Sequence, residues 1–324
     1  MSVHVALYTV GLLLLALGAV GLVIGAARLD RATGRSAFAI GIIAIGFGPC
    51  VAGLTFDLAA VLHKLPPPAK VIGLPRLTMG NVIGGNIASI GLVLGATALV
   101  RPIAGTAKLF ATAIPLAIVA ALLFWFLARD NTINRVEAGV LLGAGLGALA
   151  LLVRQARREP DVVKAEFAAW VPNRLPMWAA AGLVLSGLGG LIGGAMLTAT
   201  YANATVRAVP LDSHRLGLVS AAVTALPVLI AAIHATRRGR SDIVLVLVVG
   251  PVLFNLLLVV GVVAMVRPLL VIEGAILNEV PVMVLFTLLL VPPLANGFRV
   301  SRSEGAVLLI AFAGFVAWQV WAKG

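Results

Sequence analysis

Asn81 and Asn86 are the polar positions set most clearly inside an apolar, helix-length run. An amide placed in hydrocarbon must find a partner, because an unsatisfied polar group there costs several kcal/mol, roughly 2–7. An asparagine oxygen is also a suitable hard ligand for Na⁺ or Ca²⁺. The two lie in Gly80-Asn81-Val82-Ile83-Gly84-Gly85-Asn86, whose glycines allow either close helix packing or an opened backbone aimed at a cation. Both readings stand at this level. Asp57 is the one acid well inside an apolar run, and an intramembrane carboxylate is a functional candidate by default. The alternative is a solvated place at the outer end of its helix. Glu273 and Glu279 fall at the start of a later helix and read as interfacial, as do His4, His63, His214 and His234 at helix ends.

Two proline-bearing stretches, Gly46-Phe47-Gly48-Pro49-Cys50 and Thr224-Ala225-Leu226-Pro227, interrupt helices at comparable places in the two halves. Paired interrupted helices are the sequence pointer to a midplane binding site, against a simple packing kink as the alternative. Soluble-enzyme motifs are absent: no GxGxxG followed by an acid, no P-loop, no HExxH, no CxxC. The reading is therefore of a non-enzyme without a cofactor.

The elements that must hold these residues repeat. Gly80–Ile103 and Val246–Leu269 align without a gap, 166 positions apart, with nine of 24 residues identical, ending in Arg101-Pro102 and Arg267-Pro268. A repeated hydrophobic half is the signature of a secondary transporter. About ten helices follow the hydropathy, five before and five after a polar linker, Arg154–Pro176. An odd number per half forces the halves to insert in opposite orientations. The expected division is 1–153, a linker 154–176, and 177–324.

Composition agrees. The 324 residues are 61% hydrophobic and 11% charged, where a soluble domain carries roughly 25% charged residues. The net charge of +12 is scattered through short loops, so it anchors the chain to a lipid bilayer and does not bind nucleic acid. With the N-terminus outside, 15 of the 24 basic residues fall in cytoplasmic loops, including the Arg237-Arg238-Gly239-Arg240 run, which favours both termini outside. Use of Ala, Gly, Val and Arg suits a bacterial inner membrane. The lone Cys50 excludes an internal disulfide. No basic residue precedes Arg28, so the N-terminal run reads as a retained helix. The triple proline Pro66-Pro67-Pro68 within His63–Pro75 reads as a stiff external loop.

The Gly80–Ile87 element, with the following Gly91-Leu92-Val93-Leu94-Gly95, resembles the second signature of the cation/Ca²⁺ exchanger superfamily; Ser36–Gly41 and Gly48 resemble the approach to its first. The resemblance implies an all-α polytopic membrane protein of ten helices in two inverted five-helix repeats. It also implies an inorganic cation, Na⁺, H⁺ or Ca²⁺, as the transported partner. In this register the family's two ligand glutamates fall on Gly53 and Val228, and its first Thr and Ser on Pro49 and Cys50. Only Thr224, Gly250 and Asn255 keep the family residue in the second half. The expected cation site is then Asn81, Asn86, Asp57, Thr224 and Asn255, with Asn81 and Asp57 as the direct metal ligands. A site with so little negative charge suits a monovalent or proton-coupled cycle better than tight Ca²⁺ binding. A transport-inactive membrane scaffold of the same fold is the alternative.

Overall fold

The computed structural model describes residues 3–32, 50–59, 61–62, 73–105, 108, 110–156, 158, 175–208, 213–271, 274–297 and 299–321. The expected Gly46–Pro49 break, the Ser36–Gly41 approach, Glu273, His63 and most of the 154–176 linker lie outside them.

Ten main helices succeed one another among the described residues, with a short helical turn, Val291–Ala295, between the last two. The first half holds α1 (Val3–Ala32) and α2 (Cys50–Ala59). Its α3 runs Gly73–Ala88 through a π segment, Ser89–Leu94, into Gly95–Val100. Then come α4 (Phe110–Leu127) and α5 (Arg135–Ala156). The second half holds α6 (Met177–Ala208) and α7 (Ser213–Arg237). Its α8 runs Ser241–Phe254 through a π segment, Asn255–Val259, into Val260–Val266. The series closes with α9, from Ala275–Glu279 into Val280–Leu288, and α10 (Arg302–Trp321). Among the described residues, seven helices are long and apolar enough to cross a membrane. Such segments are helical because hydrocarbon offers no water to their backbone groups, and only an internally bonded helix satisfies them.

The two halves repeat in detail. Arg101 and Arg267 both leave the helix for extended backbone, at φ −154° and −146°, because the following proline disfavours the helical conformation. Asn134 and Ser301 both open the last helix of their half with a capping box. Asn134 Oδ1 accepts the Glu137 N–H while Glu137 Oε2 accepts the Asn134 N–H; Ser301 and Glu304 repeat the exchange. Four two-residue strands complete the symmetry: β1 (Ile103–Ala104), β2 (Thr132–Ile133), β3 (Leu269–Leu270) and β4 (Arg299–Val300). Antiparallel β1 pairs with β4, and β2 with β3, so each pair crosses between the halves.

The inversion shows most directly in α1 and α6, the first helices of their halves. They pack antiparallel along their length. At one end the Thr205 hydroxyl donates to the His4 carbonyl and the Tyr201 and His4 rings face each other; at the other, Arg28 Nε donates to the Leu175 carbonyl. Between them, glycines face each other: a Cβ on Gly18 would sit 2.8 Å from the Gly187 carbonyl oxygen. The same closeness recurs where α3 crosses α7, with an added Cβ on Gly84 2.9 Å from Leu218 Cα. This is small-residue packing, which brings backbones together where lipid gives no hydrophobic drive.

One expectation fails. Thr224–Pro227 does not interrupt its helix: α7 is continuous from Ser213 to Arg237 with Pro227 inside it. A proline removes one backbone bond and bends a helix without having to break it.

Candidate cation site

The glycines and asparagines of Gly80–Asn86 divide the two roles that the sequence left open. Gly80 and Gly84 face α7 and admit its backbone. Asn81, 7% exposed, faces α2: its Nδ2 donates to Asp57 Oδ1 at 3.2 Å and Oδ2 at 3.3 Å. Asp57 is fully buried, so the solvated alternative is excluded. Thr78 is also fully buried, with its hydroxyl beside Asp57. At Gly53, one turn before Asp57, an added Cβ would meet only Asn81 Nδ2, at 3.5 Å. That is ordinary contact, so the place given to a glutamate by the resemblance is open and next to the same amide.

Asn86 belongs to a second contact. Its Oδ1 accepts from Asn255 Nδ2 at 3.4 Å, and its own Nδ2 lies 3.5 Å from Met283 Sδ. Asn255 opens the π segment of α8 as Ser89 opens that of α3, 166 positions earlier. A π turn leaves backbone carbonyls less completely bonded and recurs at functional sites. Thr224 does not reach either contact: its hydroxyl donates back to the Ser220 and Ala221 carbonyls of its own helix. The five expected residues therefore form two polar contacts, Asp57–Asn81 and Asn86–Asn255, with Thr224 apart from both.

The sequence reading missed several polar groups. Tyr8 of α1 is buried, shares a 2.6 Å hydrogen bond with Ser220 of α7, and lies within electrostatic range of Asp57. Glu279, read as interfacial, is covered by its neighbours and only 8% exposed. It bonds to the equally buried His214 and accepts from Gln319 Nε2 at 2.8 Å. Position at a helix end could not distinguish a solvated side chain from one covered by neighbouring helices. By contrast, His234 is exposed at its helix end as read.

The chemistry available is narrow. Among the described residues no three His, Cys, Asp or Glu gather to hold a metal ion. A cavity of about 350 Å³ between α3, α7 and α10 is walled mostly by Leu, Val, Ala and Phe; its charged side chain, Arg215, is itself a cation, so it offers a metal ion little. The Asp57–Asn81 contact pairs one carboxylate with an amide and a neighbouring hydroxyl, which suits one monovalent ion or one proton.

A family model described as sodium/calcium exchanger protein matches residues 3–153 and 178–321. The chain is 30% identical to the putative antiporter CaxA of Alkalimonas amylolytica, across 94% of this chain and 95% of that one. It is 28% identical to the inner membrane protein YrbG of Escherichia coli, across 98% and 96%. Among solved structures, it superposes on a sodium/calcium exchanger from Methanococcus jannaschii with a TM-score of 0.64 and 24% identity, covering 97% of each chain.

Proposed function

The chain belongs to the sodium/calcium exchanger family of integral membrane transport proteins, and from that premise we propose that it is a secondary-active cation antiporter working by alternating access between its inverted repeats. The observation that carries the proposal is the fully buried Asp57 carboxylate facing Asn81 beside the α3–α7 crossing, where the two halves meet. A buried carboxylate is costly unless paired, and the Asn81 N–H groups pair it here. A cation or proton arriving at Asp57 replaces those donors. The Asn81 amide then turns to offer its oxygen, and Thr78 brings a further oxygen. Asn86 and Asn255 line the next step of the path, and Thr224 contributes only through its helix.

One carboxylate favours Na⁺ or H⁺ as an ion bound at Asp57, with Ca²⁺ held weakly if at all. The membrane is a bacterial inner membrane, with both termini outside and residues 154–176 as the cytoplasmic linker between repeats 1–153 and 177–324.

The test is flux of radiolabelled Na⁺ and Ca²⁺ in liposomes holding the purified protein, under imposed Na⁺ and H⁺ gradients. Gradient-driven uptake is expected. Asp57→Asn and Asn81→Ala each remove a charge-assisted contact worth roughly 1.5–3 kcal/mol, so apparent cation affinity falls about 10- to 100-fold. Correctly inserted protein that moves no cation under any gradient would refute the proposal and leave a transport-inactive scaffold. Unchanged affinity in both variants would remove these residues from the site.

A further inference from the structure

His214 opens α7, Glu279 ends the π segment of α9, and Gln319 lies near the end of α10. All three meet where α7, α9 and α10 come together, and none of them shares a hydrogen bond with Asp57 or Asn81. His214 is 5% exposed and Glu279 8%. The ring is fixed at both nitrogens: Nδ1 lies 3.2 Å from the Arg76 carbonyl oxygen of α3, and Nε2 bonds to Glu279 Oε2. The other Glu279 oxygen accepts from Gln319.

The proton count follows from those partners. A carbonyl oxygen only accepts, so Nδ1 must carry a hydrogen. A neutral imidazole has one N–H, and it is then spent on Arg76. Nε2 is left with a lone pair facing a carboxylate oxygen, which is itself only an acceptor when ionised. The contact forms only if one further proton lies between them, on Nε2 as an imidazolium or on Oε2 as a carboxylic acid. With it the pair is neutral overall; without it, two lone pairs and one negative charge face each other inside a covered site.

We propose that His214 and Glu279 together form a binding site for one proton, and that this proton latches α7 to α9 and α10. Among the described residues of this end of the molecule, α3 brings Arg76, α7 brings Arg215, α1 brings His4 and α6 brings Arg207; Arg129, Asp130, Arg135, Glu137 and Arg267 flank the β2–β3 pair, and α10 brings the uncharged Gln319. Through Gly80, whose missing side chain admits the backbone of His214, the latch bears on the helix that carries Asn81. Proton release at this end therefore frees α7 from α9 and α10, while its contacts to α3 at Arg76 and Gly80 remain. The assignment of the site itself does not require that transport be retained.

Glu279→Gln tests it. The carboxamide accepts from Gln319 through its oxygen and donates to Nε2 through its nitrogen, supplying every bond of the cluster with no proton to lose. Thermal unfolding of detergent-solubilised protein is followed across about pH 5 to 9. The wild-type midpoint is expected to fall as pH rises and the shared proton leaves; the Glu279→Gln midpoint loses that limb. His214→Phe lacks the latch at every pH, so its midpoint is lowered at acid pH. A Glu279→Gln chain with the wild-type limb, or one unable to fold, overturns the proposal. Nitrogen NMR of histidine-labelled wild type supplies a second reading. His214 Nδ1 is expected to stay protonated throughout, and a His214 whose only proton sits on Nε2 overturns the assignment. Neither measurement involves transport, so failure here and failure of the antiporter reading are separable.

Discussion

Asp57 and Asn81 are 24 positions apart on different helices, and no periodicity links them. The sequence nevertheless pointed to the contact, because the resemblance put an acidic ligand on Gly53, one helical turn from Asp57, and Asp57 is the acid that remains. The structure leaves Gly53 open towards Asn81. Gly53→Glu therefore adds a second carboxylate beside the first. Two like charges in a buried site repel, so the ion-free variant is expected to unfold at a lower temperature than the parent at neutral pH. Ca²⁺ should reverse that loss, because its affinity follows the number of charged oxygens and a bound ligand stabilises the state that binds it. Thermal unfolding with and without millimolar Ca²⁺ checks both signs. A variant indifferent to Ca²⁺ would mean that position 53 does not face Asp57's site. The His214–Glu279 pair was not legible in the same way. Both residues occur where hydropathy runs end, and only packing by α3 and α10 covers them.

Glycine at α-helical spacing carries the element scale. The sequence left open whether the glycines of Gly80–Asn86 pack helices or open a backbone for a cation, and there Gly80 and Gly84 pack against α7. In α1 and α6 the glycines pack too. Gly11, Gly18 and Gly25 each face the backbone or side chains of α6, in antiparallel register with Gly194, Gly187 and Ala180. Gly18→Val pushes a branched side chain against the Gly187 carbonyl and the Leu191 amide, each 2.8 Å from the added Cβ. Backbone cannot swing aside as a flexible side chain does, so the variant is expected to lose roughly 1–3 kcal/mol of stability. Gly189→Val on α6 is the matched control, since nothing lies within 4 Å of its Cβ position. A thermal midpoint lowered by Gly18→Val and little changed by Gly189→Val supports the close crossing; equal effects would sink it. Helix irregularity was less legible than packing. Pro227 suggested a break and yields a continuous helix, whereas the π segments at Ser89 and Asn255 carry no proline. Neither follows from hydropathy, because a π turn differs from its neighbours by a single shifted hydrogen bond.

At the scale of the whole molecule, symmetry and charge make one argument. Five helices per half, read from the apolar runs, require inversion, and the antiparallel α1–α6 pair and the exchanged strands β1–β4 and β2–β3 realise it. An inverted dimer of repeats cannot be oriented by its fold, because either face is built from equivalent loops. Charge must decide. One end gathers Arg28, Arg101, Arg154, Arg237, Arg238, Arg240, Arg299 and Arg302. The loops there touch: an added Cβ on Gly239 would lie 3.0 Å from Arg101 Nη1, and Arg299 sits in the strand paired with Ile103-Ala104. The opposite end, with His4, Tyr201 and the His214–Glu279 pair, carries fewer basic residues. Positive charge is retained on the cytoplasmic side, so the Arg101 end is expected inside and both termini outside. A periplasmically active phosphatase fused after Gly324 should then be active, and a fluorescent protein that matures only in the cytoplasm should stay dark in the same place. Replacing Arg237, Arg238 and Arg240 with neutral residues should shift some chains to the opposite orientation, seen as a fall in phosphatase activity per molecule. A dark phosphatase and a bright fluorescent fusion would reverse the assignment, and with it the side from which the His214–Glu279 proton is exchanged.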